Sequence, residues 1–590
     1  GLVGSDSIFG ISTLLNGQFS LTGEEDFIGL LSFTDTHIAN SKGTLDIRNI
    51  QLSALEDPFL ERKFLLQSDL IQLEAGGKFV FSQLASSFTN FLYHYFRHEA
   101  LKSETAGLAD QDFYFNLRIK DLSGVSRLFM PQFTLSRNAS LTGVYMSATN
   151  TWQSTFFADT IALGGVTLQK PHALINGSAE KLNLNLRSQE IELYRSSDPE
   201  TPSLGLEDAK LRIDAANDSL RINFNWLNAG RLVNRGALEA LLTAPDPETA
   251  RFKVLSSDIV VNDTLLWFDR EGSIVLGSGK SYIEEFGIHL GTSNLFVNGI
   301  LPRGEMDTLS LSFDQWELSN LNFLIAPYGI SGGGRVNGDL TLANLDNNPA
   351  FFSNLSIQKL RLNSENLGDA RLMSTWSGAE NNIYVNAQII HRGNVGTGRI
   401  FHLRGFYYPA KDNDNISFNL QLENFRLKVL NSFLEGYVSE IEGFASGDID
   451  IGGSLSKPEL KGKLGLYRTS FLIDYLNVRY SLQHEFPIEP GRIVVRDLML
   501  IDTANNRAIA NGVITHNHLN DFFVDLRLRP ENLIALNTGP AQNELFYGTA
   551  VVSGEVLIRG PFDNIDISIR AISQRGTSMV IPIDLSTSVG

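Results

Sequence analysis

The sequence predicts an all-β protein with a few short helices, whose strands form an elongated antiparallel meander. Three observations lead to this fold class. Apolar and polar residues alternate along the whole chain, clusters of Gly, Asn and Asp separate the alternating runs, and the long helical patterns that join parallel strands are missing. Alternation with period two is typical of a strand with one buried face, and short polar connections favour antiparallel hairpins.

The composition excludes several classes of protein. A chain of 590 residues is too long for one compact core, which indicates several domains or a repeated architecture. Its 48 basic and 66 acidic residues give a net charge of −18, so no nucleic-acid partner is expected, because phosphate backbones need a dense basic surface. Cysteine is absent, which excludes disulfides, thiol catalysis and cysteine-based zinc sites.

The first segment, residues 1–120, combines strands with an amphipathic helix near residues 79–97. Five apolar side chains recur there at intervals of three or four residues: Phe81, Leu84, Phe88, Phe91 and Tyr95. We expect this helix to pack over an end or edge of the sheet. The alternative is an aromatic helix that rests at a membrane surface or gates a lipid path.

Residues 121–320 continue the sheet. The strand at 220–226 places Leu220, Ile222, Phe224 and Trp226 on one face, and the same alternation recurs at 416–423, 522–529 and 565–570. Hairpin turns are predicted at three Asn-Gly pairs, 176–177, 337–338 and 511–512.

A repeat organises the remaining segments, 321–424 and 425–590. Short helical turns are predicted at 321–324, 425–430 and 533–536, and the intervals between their first positions are nearly equal. After each turn a Ser-Gly pair, at 331–332, 446–447 and 553–554, is expected to lead into a strand. Such a stack is quasi-one-dimensional, so we expect all four segments to form one continuous sheet.

Short strings that look like catalytic or metal motifs have simpler explanations. The string at 329–333 matches the G-x-S-x-G of hydrolases, but its Ser-Gly pair recurs in the repeat, and a turn explains it. His94 and His98 are one helical turn apart without a third ligand nearby, and the acidic run at 412–415 lacks the glycine of a calcium loop. The sequence therefore predicts no enzyme, no metal site and no cofactor.

Seven strings occur in one order within the last segment, 425–590. They lie at 451–464, 475–480, 512–516, 536–539, 546–550, 553–561 and 575–583. Together they resemble the C-terminal region of TamB-like proteins, which are translocation-and-assembly-module members of the AsmA-like superfamily, and in particular its Bacteroidota branch. The chain before this segment resembles the family only in its general features, namely alternating strands, Asn/Gly turns and short Leu-rich helical turns.

The resemblance implies a periplasmic protein of a Gram-negative bacterium. Such a protein is held in the inner membrane by an N-terminal anchor, which this sequence lacks, and reaches an outer-membrane barrel of the TamA type. The superfamily fold is a long U-shaped sheet, the β-taco, with an apolar groove implicated in phospholipid transport. The expected function is thus a bridge-like conduit that carries phospholipid between the membranes during outer-membrane biogenesis.

A groove is also consistent with the physical chemistry of a meander that has apolar side chains on one face only. A sheet with one apolar face must close, pair with a second sheet, or bind something apolar, and a sandwich is the ordinary alternative. About 40 strands stacked at 4.8 Å would extend roughly 190 Å, comparable to a distance across the periplasm.

Two other functions compete with the conduit. An assembly factor for outer-membrane proteins would use exposed strand edges as templates for incoming β-strands. A β-helical adhesin or polysaccharide lyase would need short solenoid coils, which the sequence does not show.

Alternation selects the residues expected to line the groove in the C-terminal half, with an ordinary sandwich core as the alternative. They are Phe418, Leu420, Leu422, Ile449, Ile451, Leu464, Leu466, Phe522, Val524, Leu526, Val556, Ile558, Ile565, Ile567 and Ile569.

The C-terminal end is expected to present a sheet edge. By resemblance this edge docks onto the barrel by strand addition, and Pro582 would blunt it against random pairing because it lacks a backbone donor. A capped terminus without a partner is the alternative. The residues assigned to the contact are Thr577, Met579, Val580, Ile581, Pro582 and Ile583.

Overall fold

In the residues that the structure describes, the chain is nearly all β, an antiparallel meander of 38 strands with a few short helices, which confirms the predicted fold class. The structure is a computed structural model. It describes residues 10–582 except 22–26, 58–60, 103–107, 195–203, 230–232, 262, 278, 302–306, 326–329, 346–348, 364, 378–380, 394–395, 435, 543–545 and 563. Ile583, one of the residues assigned to partner binding, lies outside the described residues.

The first 21 strands come before residue 301. They are β1 (Gly10–Leu21), β2 (Phe27–Asn40), β3 (Gly43–Asp57), β4 (Glu61–Ser68), β5 (Ile71–Lys78), β6 (Asp112–Ile119), β7 (Phe133–Leu135), β8 (Ser140–Met146), β9 (Thr151–Phe157), β10 (Thr160–Leu163), β11 (Val166–Gln169), β12 (His172–Gly177), β13 (Leu182–Tyr194), β14 (Leu204–Ala216), β15 (Ser219–Leu227), β16 (Arg235–Asp246), β17 (Thr249–Val261), β18 (Thr264–Phe268), β19 (Ser273–Gly277), β20 (Tyr282–Leu290) and β21 (Ser293–Ile300).

The remaining strands follow with similar lengths. They are β22 (Thr308–Glu317), β23 (Gly332–Ala343), β24 (Ala350–Leu362), β25 (Glu365–Ser377), β26 (Asn382–Gly393), β27 (Gly396–Tyr407), β28 (Ile416–Arg426), β29 (Val438–Ser454), β30 (Lys457–Ile473), β31 (Val478–Glu489), β32 (Arg492–Asp502), β33 (Arg507–Asn517), β34 (Asn520–Glu531), β35 (Leu533–Thr538), β36 (Tyr547–Pro561), β37 (Asp566–Ser573) and β38 (Ser578–Val580).

The helices are short. They are α1 (Leu84–Tyr95), α2 (Ser123–Phe129) and α3 (Asn322–Ile325), with 3-10 turns at Phe81–Gln83, Glu99–Leu101, Leu318–Leu321 and Leu427–Phe433. The chain separates into two compact units. The first unit consists of residues 1–292 and 296–301, and the second of residues 293–295 and 302–590.

The same type of β-bulge occurs at four places in the second unit. At each bulge a residue with φ between 51° and 55° interrupts the strand pairing, and its N–H donates to a side-chain oxygen of a later strand at 2.8–2.9 Å. The acceptor residue is Asn or Ser, and a glycine follows it. The four donor and acceptor pairs are Gln315 and Asn337, Asn424 and Ser446, Asp497 and Asn511, and Asn532 and Ser553.

This bulge explains two wrong predictions. The Asn-Gly pairs at 337–338 and 511–512 are not hairpin turns, because they lie inside β23 and β33. Only the pair at 176–177 ends a strand, β12. The Ser-Gly pairs at 446–447 and 553–554 likewise lie inside β29 and β36 instead of at a strand start.

The helical predictions have mixed outcomes. Helix α1 and its preceding 3-10 turn confirm the amphipathic helix, and the turns near residues 321 and 427 are present. The helical turn predicted at 533–536 is wrong, because these residues form β35. Leu533 and Leu536 are buried there while the backbone pairs with β36, so sheet pairing overrides the local spacing of the leucines.

Candidate functional site

An uninterrupted row of apolar residues crosses the second unit. One residue from each strand β22–β34 and from β36 pairs directly with a row member on the next strand, so all members lie on one face of the sheet. Every member is apolar or glycine. The row consists of Phe313, Gly338, Leu355, Leu372, Ala387, Leu403, Leu420, Ile449, Gly462, Ile488, Ile493, Ile514, Val524 and Gly560.

Two glycines in this row are required by the backbone. Gly338 has a φ of 113°, and a Cβ there would lie 2.0 Å from the carbonyl oxygen of Asn354. Gly462 has a φ of 154°, and a Cβ there would lie 2.2 Å from the carbonyl oxygen of Asp448. Glycines of this kind inside strands allow a sheet to bend sharply, so the row marks positions where the strands can curve.

The first unit has a row of the same kind. Its members pair directly across twelve strands between β2 and β16, and each is half-buried. The row consists of Leu31, Leu52, Leu66, Leu73, Leu117, Leu141, Phe156, Ala173, Leu186, Leu211, Phe224 and Leu238.

The buried apolar side chains of the second unit form local clusters along the meander. In the second unit, each cluster of buried apolar side chains is built from nearby strands of the meander, such as β23–β29 around Ile383 and β30–β34 around Leu498. A sandwich would instead bring together strands from two separate stretches of a unit. Most members of both rows also keep part of their surface exposed.

The opposite face of β28–β31 carries polar and charged side chains. Asn419 lies between Leu420 and Phe418, and its Nδ2 donates to Asp448 at 2.6 Å and to Asp450 at 3.0 Å. Lys463 forms an exposed ion pair with Glu485 at 3.1 Å. Successive side chains of a strand point to opposite faces, so these four strands separate the apolar row from polar and charged side chains.

The fifteen residues predicted to line a groove all belong to the C-terminal half, and pairing places the strand residues among them on the face of the apolar row. Leu420, Ile449 and Val524 are row members, and Leu526 pairs with Ile558, which pairs with Ile567. Ile449 and Val524 are buried, whereas Ile565, Ile567 and Ile569 on or beside the terminal strand are exposed. The other ten are half-buried: Phe418, Leu420, Leu422, Ile451, Leu464, Leu466, Phe522, Leu526, Val556 and Ile558.

The prediction missed the row members before residue 418, and after it the apolar members Ile488, Ile493 and Ile514 and the glycines. Alternation was available there too, for example in Leu182, Leu184 and Leu186 of β13. The glycines of the row carry no apolar signal, and bulges change which residues face the same side, so the continuity of the row is visible only from the pairing register.

Helix α1 covers part of the apolar face of the first unit. Phe91 and Tyr95 are each only 2% exposed. They belong to a cluster with buried strand residues, and the half-buried row members Leu52, Leu66 and Leu73 pack against the same cluster. The buried strand residues are Ala54, Phe64, Ala75, Phe113, Tyr145 and Ala215.

Polar contacts fix α1 and the segment that follows it to the sheet. The Tyr145 hydroxyl donates to the carbonyl of Ser87 at 3.0 Å, and the Tyr95 hydroxyl donates to that of Ser178 at 2.5 Å. Burial raises the pKa of both tyrosines to about 12, so both remain neutral donors at neutral pH. The helix thus packs over the sheet as expected, with Phe91 and Tyr95 buried against the strands.

The same segment crosses consecutive hairpin turns. Asp218, in the turn after β14, donates its N–H to the carbonyl of Tyr95 at 2.9 Å and accepts from the N–H and Nε of Arg97, both at 2.9 Å. Glu99 donates its N–H to Pro247, in the turn after β16, at 2.7 Å. Residues 84–101 therefore run along the edge that these turns form.

The C-terminal strands β37 and β38 both pair with β36, and the structure describes no strand on their other side. All of their residues are exposed. The described part of the chain thus ends in an apolar edge that includes Ile569 and Ile572, at 61% and 74% exposure, together with Met579 and Val580. Thr577 is half-buried and donates its hydroxyl to Val551, whereas Ile581 and Pro582 are exposed.

The described residues of the strings that look like chemical motifs contact ordinary backbone and side-chain groups. Ser331 donates its N–H to Asn363 at 2.8 Å. His94 contacts the carbonyl of Ala179 at 2.8 Å, and His98 accepts from the N–H of Ala100. Across the described ranges, no group of three or more His, Asp or Glu is placed to hold a metal ion.

None of the helices that the structure describes is both long enough and apolar enough to cross a bilayer. Comparison with protein-family models and with curated protein sequences finds no match for the chain. The TamB-like assignment therefore stays a prediction that rests on the strings of the C-terminal segment, 425–590.

Proposed function

We propose that the protein is a non-enzymatic lipid conduit, whose apolar sheet face holds the acyl chains of phospholipids as they pass between the inner and outer membranes of a Gram-negative bacterium. One observation carries the proposal. In each unit an apolar row continues from strand to strand, and most of its members keep part of their surface exposed.

Acyl chains suit such a face energetically. Each CH₂ group removed from water contributes about 0.8 kcal/mol, so a chain lying along several strands is held by many small contacts. Because neighbouring positions in a row are alike, a lipid meets similar contacts as it advances by one strand. Direction then comes from lipid supply and withdrawal at the ends, since the sheet has no energy source.

The partners follow from the family resemblance. A TamA-type barrel in the outer membrane would receive the C-terminal edge, and the inner membrane would be reached through an N-terminal anchor. The exposed edge at β37 supports this part of the proposal, because an unpaired strand is the element that strand addition requires.

The same edge favours a second candidate function. An assembly factor for outer-membrane proteins would use β37 to template a strand of its client. Photocrosslinkers at Leu420 and Ile451, on the apolar face, distinguish the two functions. A conduit predicts crosslinks to phospholipid, and an assembly factor predicts crosslinks to unfolded polypeptide.

The direct test is native mass spectrometry and lipid extraction of the purified chain and two variants. Leu420→Asp places a charge on the half-buried apolar face, and we expect the chain to stay folded but to lose co-purifying phospholipid. Ser417→Asp places the same charge on the opposite, exposed face and should keep both properties.

Two results would overturn the proposal. One is the absence of bound or exchangeable phospholipid in the unchanged chain. The other is unfolding of Leu420→Asp and of Ile451→Asp, because an unpaired charge in a packed core costs several kcal/mol, whereas a hydrated face tolerates it.

A further inference from the structure

A recess in the second unit gathers positive charge on the polar side of the sheet. It has a volume of about 390 Å³ and is lined by residues of β22–β25 that include Arg335, Lys359, Arg361 and Asn366. Arg335 directly precedes Val336, which is 5% exposed and shares its face with Gly338 of the apolar row. Arg335 therefore lies on the opposite face, and the recess is separate from the proposed lipid path.

The charges that line the recess do not balance. Glu317 accepts from Nε of Arg335 at 2.8 Å. Within the described ranges, Lys359 and Arg361 have no ion pair, so the lining holds three cations and one carboxylate in a chain whose net charge is −18. Like charges that share a recess repel each other, and an anion between them relieves that repulsion.

Backbone geometry shapes the recess at both of these cations. Lys359 has a φ of 52°, and its N–H donates to the Asp369 carboxylate at 3.0 Å, which fixes a bulge in β24. The Arg361 guanidinium lies against Gly333, where a Cβ would come within 3.0 Å of Nε and 3.1 Å of Nη2. The missing side chain at Gly333 thus makes room for the guanidinium.

We propose that this recess binds an anion of the phosphate class. The planar guanidinium of Arg361 offers paired N–H donors that match two phosphate oxygens, and Lys359 adds a point charge. The amide of Asn366 completes the lining with a neutral donor. A free phosphate and the phosphate of a lipid headgroup share this chemistry, and the experiment separates these sources.

The test uses the full chain at low ionic strength. Calorimetric titration with inorganic pyrophosphate probes the free anion. Flotation with phosphatidylcholine vesicles, with and without phosphatidylglycerol, probes the headgroup. We expect Arg361→Gln and Lys359→Gln each to weaken binding about tenfold, the loss expected for one charge-assisted hydrogen bond. Gly333→Ala should also weaken binding, although it removes no charge.

Lys461→Gln is the matched control, because Lys461 is an exposed cation of the same unit outside the recess. Pyrophosphate binding that depends on Arg361 supports a free anion as ligand, and flotation that depends on both Arg361 and phosphatidylglycerol supports a headgroup. The proposal is overturned if neither probe binds saturably, or if Lys461→Gln loses as much binding as Arg361→Gln. Circular dichroism confirms that each variant is folded.

Discussion

The amide of Asn511 holds a bulge in the neighbouring strand β32. Its Oδ1 accepts the N–H of Asp497 at 2.8 Å, and its Nδ2 donates to the Asp497 carboxylate at 3.1 Å. Asp497 has a φ of 51°, a conformation in which a residue cannot continue the regular pairing of β32 with β33. The side chain thus compensates for a lost backbone partner.

Replacing Asn511 by Ala should loosen this bulge. Loss of the hydrogen bonds should lower the free energy of local opening by about 1 kcal/mol, which corresponds to about fivefold faster amide exchange in residues 492–515. Asn511→Ser should restore most of the protection, since Ser446 and Ser553 fill the same role at other bulges.

Hydrogen exchange followed by mass spectrometry measures this effect. Asn413→Ala, in an exposed loop, is the control and should leave exchange in residues 492–515 unchanged. Equal exchange in Asn511→Ser and Asn511→Ala would contradict the assigned role of the side-chain oxygen.

The bulge also shows why sequence reading succeeds for strands and fails for their connections. Alternation depends on burial of one face, so it predicts β28 and β34 correctly from their own residues. An Asn-Gly pair, however, satisfies both a hairpin turn and a strand-interior bulge, because both need a short polar side chain next to a residue with positive φ. The choice depends on which strand lies opposite, and local sequence does not contain that information.

At the scale of one element, α1 is the clearest case of a helix predicted correctly. Its aromatic residues recur every three or four positions, and Phe91 and Tyr95 are buried as that spacing requires. The helical segment begins later than predicted, with the 3-10 turn Phe81–Gln83, because Val80 is extended and donates its N–H to the side chain of Gln111. Its anchoring across several turns could not be predicted, since those contacts join residues more than 80 positions apart.

The anchor between Arg97 and Asp218 should respond to acid. Hydrogen bonds from the Arg97 side chain, followed in importance by its backbone N–H and its charge, hold the pKa of Asp218 below the ordinary value of 3.8. A carboxylate with a lowered pKa contributes stability that is fully present above its ordinary pKa. That stability is lost as the pH falls through the lowered pKa of the folded chain.

Amide exchange in residues 96–101 should therefore stay constant between pH 7 and 5, after correction for intrinsic rates, and rise below pH 3.8. Asp218→Asn should exchange faster at neutral pH and show less of this rise. The effect is modest, about 0.2–1 kcal/mol, because the pair is partly exposed. Asp159→Asn, an exposed residue of the same unit, is the control. An unchanged profile in Asp218→Asn would mean that this pair does not hold the segment.

At the scale of the whole molecule, one arrangement recurs in both units. A strand carries apolar residues on one side and polar or charged residues on the other, and pairing aligns the apolar sides across many strands. The sequence predicts the two sides of each strand because alternation is local. The sequence does not predict how many strands a row crosses, because each bulge shifts the pairing register and so changes which residues lie opposite each other.

The last prediction concerns the C-terminal edge. Deleting residues 572–590 removes the end of β37 and all of β38, whose described residues are all exposed, so little buried surface is lost. We expect the truncated chain to keep its circular dichroism spectrum and its resistance to proteolysis. Its binding to the periplasmic part of a TamA-type barrel should be abolished in a pull-down, because strand addition requires this edge. Leu455→Ala and Tyr475→Ala, which shorten exposed apolar side chains in turns elsewhere, should bind normally. Undiminished binding of the truncated chain would refute the assignment of the edge.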